Sequence, residues 1–255
     1  MKVVILAGGY GTRLVEETST IPKPMIEIGG RPLLWHLMRF FAHHKCKDFI
    51  IALGYKSEVI KRYFLHYSHL QSNLKIDLGT GSVQAESNDS LDWQVELKDT
   101  GFATMTGGRL LRLRDSINGT FLFTYGDGLS NVDVPALLKF HKSHGRIATV
   151  TAVSPVSRFG LLRLGDGGRV MSFAEKPDYR DNLINGGFFV LEPEALDYIA
   201  GDDASWEREP CERLAAEGQM MAYRHPGFWQ CVDTLHELRH LRGLWDSGQA
   251  EWKVW

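Results

Sequence analysis

A glycine-rich segment directly after the first apolar run is the part of the sequence that most clearly suggests chemistry. Residues 6–14 read LAGGYGTRL, so that Gly8, Gly9 and Gly11 separate the apolar run 3–7 from Arg13. Glycine has no Cβ, so backbone N–H groups can approach a phosphate closely, and an arginine adds a bidentate phosphate donor. The segment therefore predicts a phosphate-binding loop, with a purely structural tight turn as the alternative.

Two common phosphate loops do not fit this spacing. A dinucleotide fingerprint counted from Gly9 needs a glycine at position 14, where Leu14 stands, and counted from Gly8 it meets Tyr10 at its second glycine. A P-loop is excluded because no Gly-Lys-Ser/Thr follows. A dinucleotide-dependent oxidoreductase is therefore disfavoured.

A second cationic segment, Pro22-Lys23-Pro24, follows ten positions after Arg13. The prolines restrict the backbone on both sides of the lysine. Alone, the segment would be interpreted as a surface loop. Together with Arg13, it predicts a second cation on a shared triphosphate, where fixed positive charge stabilises a leaving pyrophosphate.

Two aspartates, Asp127 and Asp233, are candidate metal ligands, although each also has a purely structural interpretation. Asp127 follows the apolar run 121–125 between Gly126 and Gly128, so its carboxylate is expected at the carboxyl end of a sheet. Mg²⁺ prefers one or two carboxylates together with substrate phosphates and water. A turn is the alternative for Asp127, and a helix N-cap is the alternative for Asp233.

The elements that would position these residues alternate between apolar runs and amphipathic segments. This alternation predicts an α/β fold with a doubly wound, mostly parallel sheet and a small β-hairpin annex. Strands are predicted at 3–7, 49–53, 121–125, 148–153 and 188–191, with two short strands within 74–99 and a hairpin over 161–173. Helices are predicted from Pro32 through 41, from a Ser57 cap through 64, and at 109–117, 135–144 and 235–245.

Composition narrows the class of protein. A net charge of −2 and a pI near 6.6 leave no basic surface for nucleic acid. Three cysteines without CxxC spacing favour reduced thiols and a cytoplasmic location, and the first apolar run is too short for a signal peptide or a membrane span. The tail tryptophans Trp245, Trp252 and Trp255 predict packing on another subunit, and hence a homo-oligomer.

Taken together, these segments resemble the sugar nucleotidyltransferases. The resemblance covers most of the chain and is carried by LAGGYGTRL, the T-x-x-x-PKPM that begins at Thr18, YGDG at 125–128, FAEKP at 173–177 and INGGFFVL at 184–191. Three further segments resemble one subgroup, the cytidylyltransferases that act on glucose 1-phosphate. They are DTGFATMTGGRLLR at 99–112, PGFWQCVDT at 226–234 and the tail from residue 243. One residue departs from their pattern, because Ile21 stands where a second lysine is expected.

The resemblance implies a reaction, a cofactor and site residues. A cytidylyl group would pass from CTP to α-D-glucose 1-phosphate with Mg²⁺, by direct in-line attack, giving CDP-glucose and pyrophosphate. Arg13, Lys23 and Lys176 would be catalytic, and Asp127 and Asp233 would hold the metal. The nucleotide would contact Leu6, Ala7, Gly8, Gly9, Gly11, Thr12, Arg13, Lys23, Thr104, Gly108, Arg109 and Gly126. The sugar phosphate would contact Glu175, Lys176, Asn185, Gly186 and Gly187.

One domain is predicted over 1–255, because no linker or internal repeat divides the chain. It would comprise a nucleotide-binding half (1–153), a sugar-phosphate-binding half (154–233) and a C-terminal helix and tail (234–255). Two alternatives stay open: the same reaction with UTP or dTTP, and a catalytically silent sugar-nucleotide sensor on the same fold.

Overall fold

The computed structural model describes residues 1–11, 14–86, 91–155, 160–175 and 183–255. Its strands are β1 Lys2–Ala7, β2 Glu27–Ile28, β3 Arg31–Pro32, β4 Asp48–Leu53, β5 Asn73–Asp77, β6 Ser82–Glu86, β7 Gln94–Asp99, β8 Phe121–Tyr125, β9 Gly128–Ser130, β10 Ala148–Val153, β11 Leu161–Leu164, β12 Val170–Ala174, β13 Ile184–Leu191, β14 Met220–His225 and β15 Trp229–Cys231. Its helices are α1 Val15–Thr18, α2 Leu33–His43, α3 Ser57–Leu65, α4 Tyr67–Leu70, α5 Thr106–Leu111, α6 Val134–His144, α7 Glu209–Ala216 and α8 Leu235–Asp246.

Seven strands form the central sheet, in the order β14-β10-β13-β8-β1-β4-β7. Neighbouring strands run parallel except at β13, which is antiparallel to both β8 and β10. Strand β1 lies between β4 and β8, and its residues alternate between two apolar cores. Val3 and Ile5 face the core that contains α2, and Val4 and Leu6 face the core that contains α5. The prediction of a doubly wound, mostly parallel sheet is confirmed.

The reversed direction of β13 determines what lies at the carboxyl edge of the sheet. Phe188 pairs with Thr124, so the amino-terminal residues of β13 continue beyond β8 at the same edge as Asp127. Asn185, Gly186 and Gly187 therefore belong to a strand of the central sheet. Gly187 has a φ of 77° next to a register shift between β10 and β13, a backbone conformation that favours glycine.

Several predicted boundaries need correction. Residues 74–99 contain three strands rather than two, and the polar loop 87–90 lies outside the described residues. The helix predicted at 109–117 begins at Thr106 and ends at Leu111, followed by a short 3-10 turn at Arg114–Ser116. Lys56, in the left-handed conformation, is the N-cap of α3, and Ser57 is its first helical residue. The hairpin over 161–173 is confirmed as β11 and β12.

The C-terminal tail folds onto its own chain. Trp252 is fully buried in the core that contains α2, and its indole Nε1 donates to His36 Nδ1 at 3.4 Å. The rings of Trp245 and Trp255 also lie against His36, with centroids 4.9 and 6.1 Å from its ring. The expectation of packing on another subunit is therefore wrong for Trp252, whereas Trp245 and Trp255 are only partly buried, and for them it stays a prediction. No described helix combines the length and apolar character that a membrane crossing requires.

Candidate active site

A cavity of about 330 Å³ opens where β1 and β8 end. Its walls are Leu6, Ala7, Gly9, Gly11, Lys23, Pro24, Thr106, Tyr125, Gly126, Asp127 and Asp233. The two strand ends are held together because the Gly126 N–H donates to the Leu6 carbonyl at 2.9 Å. A side chain at Gly126 would overlap Pro24, so glycine here lets the Pro-Lys-Pro segment pack over the end of β8. The predicted phosphate loop and the predicted second cation thus share one cavity.

Lys23 joins the two predicted metal ligands. Its Nζ lies 2.6 Å from Asp127 Oδ2 and 2.7 Å from Asp233 Oδ1. The Lys23 side chain is 12% exposed, and the two carboxylates are 32% and 25% exposed. Burial by itself lowers the pKa of Lys23, but attraction and hydrogen bonds from the two carboxylates outweigh it, so this pKa is raised. The ammonium therefore stays charged beside the cavity.

A short ladder brings Asp233 to Asp127 from far along the chain. Strand β15 pairs with β9 in antiparallel fashion, with Cys231 opposite Gly128, and the Val232 N–H donates to the Asp127 carbonyl at 2.9 Å. Thr234 is the N-cap of α8 and forms a capping box with Glu237. The N-cap alternative for Asp233 is therefore wrong, and its carboxylate contacts Lys23 instead.

A second cavity of about 420 Å³ adjoins the first. It is lined by Thr124, Tyr125, Asp127, Gly128, Asn185, Gly186, Gly187, Glu207, Trp229, Cys231 and Asp233. The two cavities share Tyr125, Asp127 and Asp233. Trp229 Nε1 donates to the Gly186 carbonyl at 2.6 Å, which ties β15 to the predicted sugar-phosphate residues of β13. Two adjoining cavities with a common acidic wall could hold two ligands that react with each other.

Cys231 lies at this wall without the properties of a nucleophile. Burial and the neighbouring Asp233 raise the pKa of the Cys231 thiol to about 12. A thiol with that pKa stays protonated near neutral pH, and the thiolate is the reactive form. A covalent intermediate on this cysteine is therefore not supported.

Arg109 lies beside the cavity wall, in contact with the backbone. Its Nη1 donates to the carbonyls of Leu53 and Gly101 at 3.0 and 2.7 Å and to Thr100 Oγ1 at 2.8 Å. Its Nη2 donates to the Gly8 carbonyl at 3.0 Å and the Phe102 carbonyl at 3.3 Å. The guanidinium thus links the loops that follow β1, β4 and β7. Burial lowers the pKa of Arg109. The hydrogen bonds of its N–H groups compensate part of the energy cost of burying the charge.

The predicted site residues divide into three groups. The cavity walls bring together Leu6, Ala7, Gly9, Gly11, Lys23, Gly126, Asp127, Asp233, Asn185, Gly186 and Gly187. Gly8, Thr104, Gly108, Arg109 and Glu175 do not line either cavity; Thr104 and Gly108 are buried, and Glu175 is exposed after β12. Thr12, Arg13 and Lys176 lie outside the described residues.

Eight residues of the cavity walls were not among the predicted site residues: Pro24, Thr106, Thr124, Tyr125, Gly128, Glu207, Trp229 and Cys231. Most of them, including Thr106, Tyr125 and Trp229, stand inside motifs that carried the resemblance, so their positions were a usable signal; Thr124 and Glu207 stand outside those motifs. Thr106 and Glu207 meet only in the folded chain, where Thr106 Oγ1 donates to Glu207 Oε2 at 2.7 Å. No spacing in the sequence indicates that contact.

The two carboxylates fit a Mg²⁺ site in their chemistry. They converge on one cation, the Lys23 ammonium, which shows that both can face a single positive charge. Among the described residues, no three histidine, cysteine, aspartate or glutamate side chains form a ligand cluster. One or two carboxylates completed by phosphates and water is the arrangement that Mg²⁺ prefers.

The amino-acid sequence matches a known protein family and full-length relatives. Residues 2–240 match the family model of the nucleotidyl transferases. The chain is 49% identical to glucose-1-phosphate cytidylyltransferase of Salmonella typhi and 45% identical to a probable glucose-1-phosphate cytidylyltransferase of Bacillus subtilis (strain 168). Both alignments cover 100% of each chain.

Solved structures share the fold. The crystal structure of HddC from Yersinia pseudotuberculosis matches with a TM-score of 0.71 and 22% identity, over 96% of this chain and 99% of that one. A UDP-glucose pyrophosphorylase complexed with UDP-glucose matches with a TM-score of 0.68 and 18% identity, over 97% and 98% of the two chains. At these identities the likeness concerns the fold alone.

Proposed function

Because the chain belongs to the nucleotidyl transferase family, we propose that it transfers a cytidylyl group from CTP to α-D-glucose 1-phosphate and releases pyrophosphate. The observation that carries the proposal is the pair of adjoining cavities that share Tyr125, Asp127 and Asp233, with Lys23 bonded to both carboxylates. Full-length relatives at 49% and 45% identity are named for this activity, which supports the choice of CTP and glucose 1-phosphate.

The reaction needs neither a covalent intermediate nor a general base. A phosphate oxygen of glucose 1-phosphate is anionic at neutral pH and attacks the α-phosphorus of CTP in line. The new oxygen–phosphorus bond forms as the bond to pyrophosphate breaks, and the electron pair leaves with pyrophosphate. Catalysis then consists of positioning and charge neutralisation.

The chain's own residues supply both. The glycine loop after β1 binds the triphosphate through backbone N–H groups, and Lys23 brings a fixed positive charge to the same cavity. Asn185, Gly186 and Gly187 orient the sugar phosphate in the adjoining cavity. Asp127 and Asp233 would hold Mg²⁺, which neutralises phosphate charge when bound. Arg13 and Lys176 keep the catalytic roles that the resemblance implies for them, as cations that offset phosphate charge.

Measurement of pyrophosphate release tests the proposal directly. The protein is incubated with Mg²⁺ and glucose 1-phosphate, and CTP, UTP, dTTP, ATP and GTP are supplied in parallel. We expect release with CTP to exceed release with each other nucleotide. A preference for UTP or dTTP would keep the reaction and overturn the base assignment, and no release with any nucleotide would support the silent-sensor alternative.

We also propose that the chain works in the cytoplasm as a homo-oligomer. The cysteines Cys46, Cys211 and Cys231 are all free, as in a reducing compartment. The hairpins β5–β6 and β11–β12 expose apolar side chains, among them Ile76, Val83 and Phe173, which a second copy could cover. Light scattering of the purified protein measures the assembly, and a monomer at micromolar concentration would contradict this part of the proposal.

A further inference from the structure

Glu207 is a cavity residue that neither the family pattern nor the reaction above assigns. It lies in the wall of the second cavity, together with Asn185, Gly187 and Trp229. It precedes α7 and directly follows Trp206, whose side chain is fully buried. A carboxylate at this position faces the space that the sugar phosphate would occupy.

One oxygen of this carboxylate is anchored by a hydrogen bond. Thr106 Oγ1 donates to Glu207 Oε2 at 2.7 Å, and the backbone N–H of Trp206 donates to the same Thr106 hydroxyl at 2.9 Å. The Tyr125 side chain packs beside them, and burial and the nearby Glu207 charge raise the pKa of its hydroxyl. An ionised carboxylate has two oxygens and several acceptor positions, so the contact with Thr106 leaves capacity for a further donor.

The negative charge of Glu207 bears on how the ligand would be oriented in the second cavity, because the expected ligand is itself anionic. None of the ion pairs found among the described residues includes Glu207. A carboxylate without a cationic partner repels a phosphate, but it accepts hydrogen bonds well from hydroxyl groups. We therefore expect the phosphate end of the sugar phosphate to lie toward Lys23 and its hydroxyl end toward Glu207.

We propose that Glu207 is a specificity-determining residue that accepts a hydrogen bond from a ring hydroxyl of the sugar phosphate. The proposal deepens the proposed function and rests on it, because it takes a hexose 1-phosphate as the occupant of the second cavity. Sites that bond a substrate hydroxyl reject analogues that lack it, since a polar group that the bound sugar covers is then left unpaired. Glu207 would thus select the hexose, while the cations and the metal act on the phosphates.

The test compares glucose 1-phosphate with its 2-, 3-, 4- and 6-deoxy analogues on the wild type and on Glu207→Ala. We expect the wild type to lose about tenfold or more in kcat/KM with one of the analogues, and Glu207→Ala to show little of that loss. The ratio of two substrates on one enzyme preparation is independent of the fraction of folded protein. Glu207→Gln, which keeps the shape and weakens the acceptor, should lie between the two.

Glu209→Gln is the matched control, because Glu209 is an exposed carboxylate in the first turn of α7. It should reproduce the wild-type ratios. The proposal would be overturned if the ratio of kcat/KM for glucose 1-phosphate to that for each of the four analogues were the same in wild type and Glu207→Ala. A change in Glu207→Ala that is confined to the KM of the nucleotide would overturn it as well. The series is run with whichever nucleoside triphosphate the wild type uses, so an error in the base assignment is seen separately.

Discussion

The guanidinium group of Arg109 occupies the space into which a side chain at Gly8 would project, and its Nη2 donates to the Gly8 carbonyl at 3.0 Å. Gly8 has no positive φ, so its backbone conformation does not require glycine. The requirement comes from packing, because Arg109 is 4% exposed and also bonds the loops after β4 and β7. The shape of the predicted phosphate loop therefore depends on a residue a hundred positions away.

Gly8→Ala should destabilise the protein. The added methyl group overlaps the Arg109 guanidinium, which must move away from several of its acceptors. Overpacking of this kind costs about 1–3 kcal/mol of unfolding free energy. Gly9→Ala is the matched control, because a Cβ at Gly9 meets no heavy atom within 4 Å. Urea unfolding measures both variants, and equal stability of the two would contradict the overlap.

Arg109→Lys should lower activity without changing the choice of base. A lysine keeps the charge, but it lacks the planar fork that bonds the carbonyls of Gly8, Leu53 and Gly101 together. We expect kcat/KM to fall about 10- to 100-fold with both CTP and UTP, because the loop is displaced for either nucleotide. Steady-state kinetics with the two nucleotides measure this.

The ratio between the two nucleotides separates two roles of Arg109. A group that positions the loop leaves the CTP-to-UTP ratio unchanged, whereas a group that reads the cytosine would change it. Arg112→Lys is the control, since Arg112 is half exposed and pairs with Asp202 at 2.5 Å. Loss of nucleotide preference in Arg109→Lys alone would assign base recognition to this arginine.

The sequence predicted the positions of those candidate site residues that come directly after a strand. Asp127 follows a buried strand, and the glycine loop follows another, so their meeting at one sheet edge is a consequence of parallel topology. Asp233 was ambiguous because an aspartate before a helix is a common N-cap. The structure resolves this ambiguity. The adjacent Thr234, not Asp233, caps α8, and the pairing of β9 with β15 brings Asp233 to Lys23.

Other features could not be predicted from local pattern. Trp252 is near the chain terminus, and exposed aromatic residues there favour an interface, but the tail returns to His36 over more than 200 positions. The contact between Thr106 and Glu207 is of the same kind, because it joins the start of α5 to a loop a hundred residues later. Hydrogen bonds between distant residues leave no periodicity or spacing in the sequence.

Loss of either acidic residue should impair the use of Mg²⁺. Asp127→Asn and Asp233→Asn each remove one negative charge from the wall shared by the two cavities. We expect kcat to fall about 100- to 1,000-fold, the scale of losing one electrostatic contact at developing charge, with a higher Mg²⁺ concentration at half-maximal rate. Pyrophosphate release from chelator-treated protein, titrated with Mg²⁺, measures both quantities.

Asp133→Asn is the matched control for this series. The Asp133 side chain caps α6 by accepting from the Ala136 N–H at 2.9 Å, and asparagine caps helices equally well. Its Mg²⁺ titration should match that of the wild type. An unchanged Mg²⁺ requirement in both Asp127→Asn and Asp233→Asn would move the metal site away from these carboxylates.

Stability should fall as the pH falls from about 6.5 toward 4, because of His36. This ring is fully buried, and burial lowers its pKa to about 4, below the usual value of 6.5. The neutral ring satisfies both of its neighbours, with Nε2 donating to the Ile28 carbonyl at 2.9 Å and Nδ1 accepting from Trp252 Nε1 at 3.4 Å. A proton on Nδ1 would abolish the second contact.

The sign follows from the direction of the shift. A histidine whose folded pKa is lowered keeps its full stabilisation above the unfolded pKa and loses it as the pH drops to the folded pKa. Between pH 7.5 and 5 the loss is about 2 kcal/mol of unfolding free energy. Urea unfolding at a series of pH values measures it. His36→Gln should flatten this part of the profile, whereas His69→Gln, at an exposed position, should leave it unchanged. The same pH dependence in wild type and His36→Gln would attribute the loss to other groups.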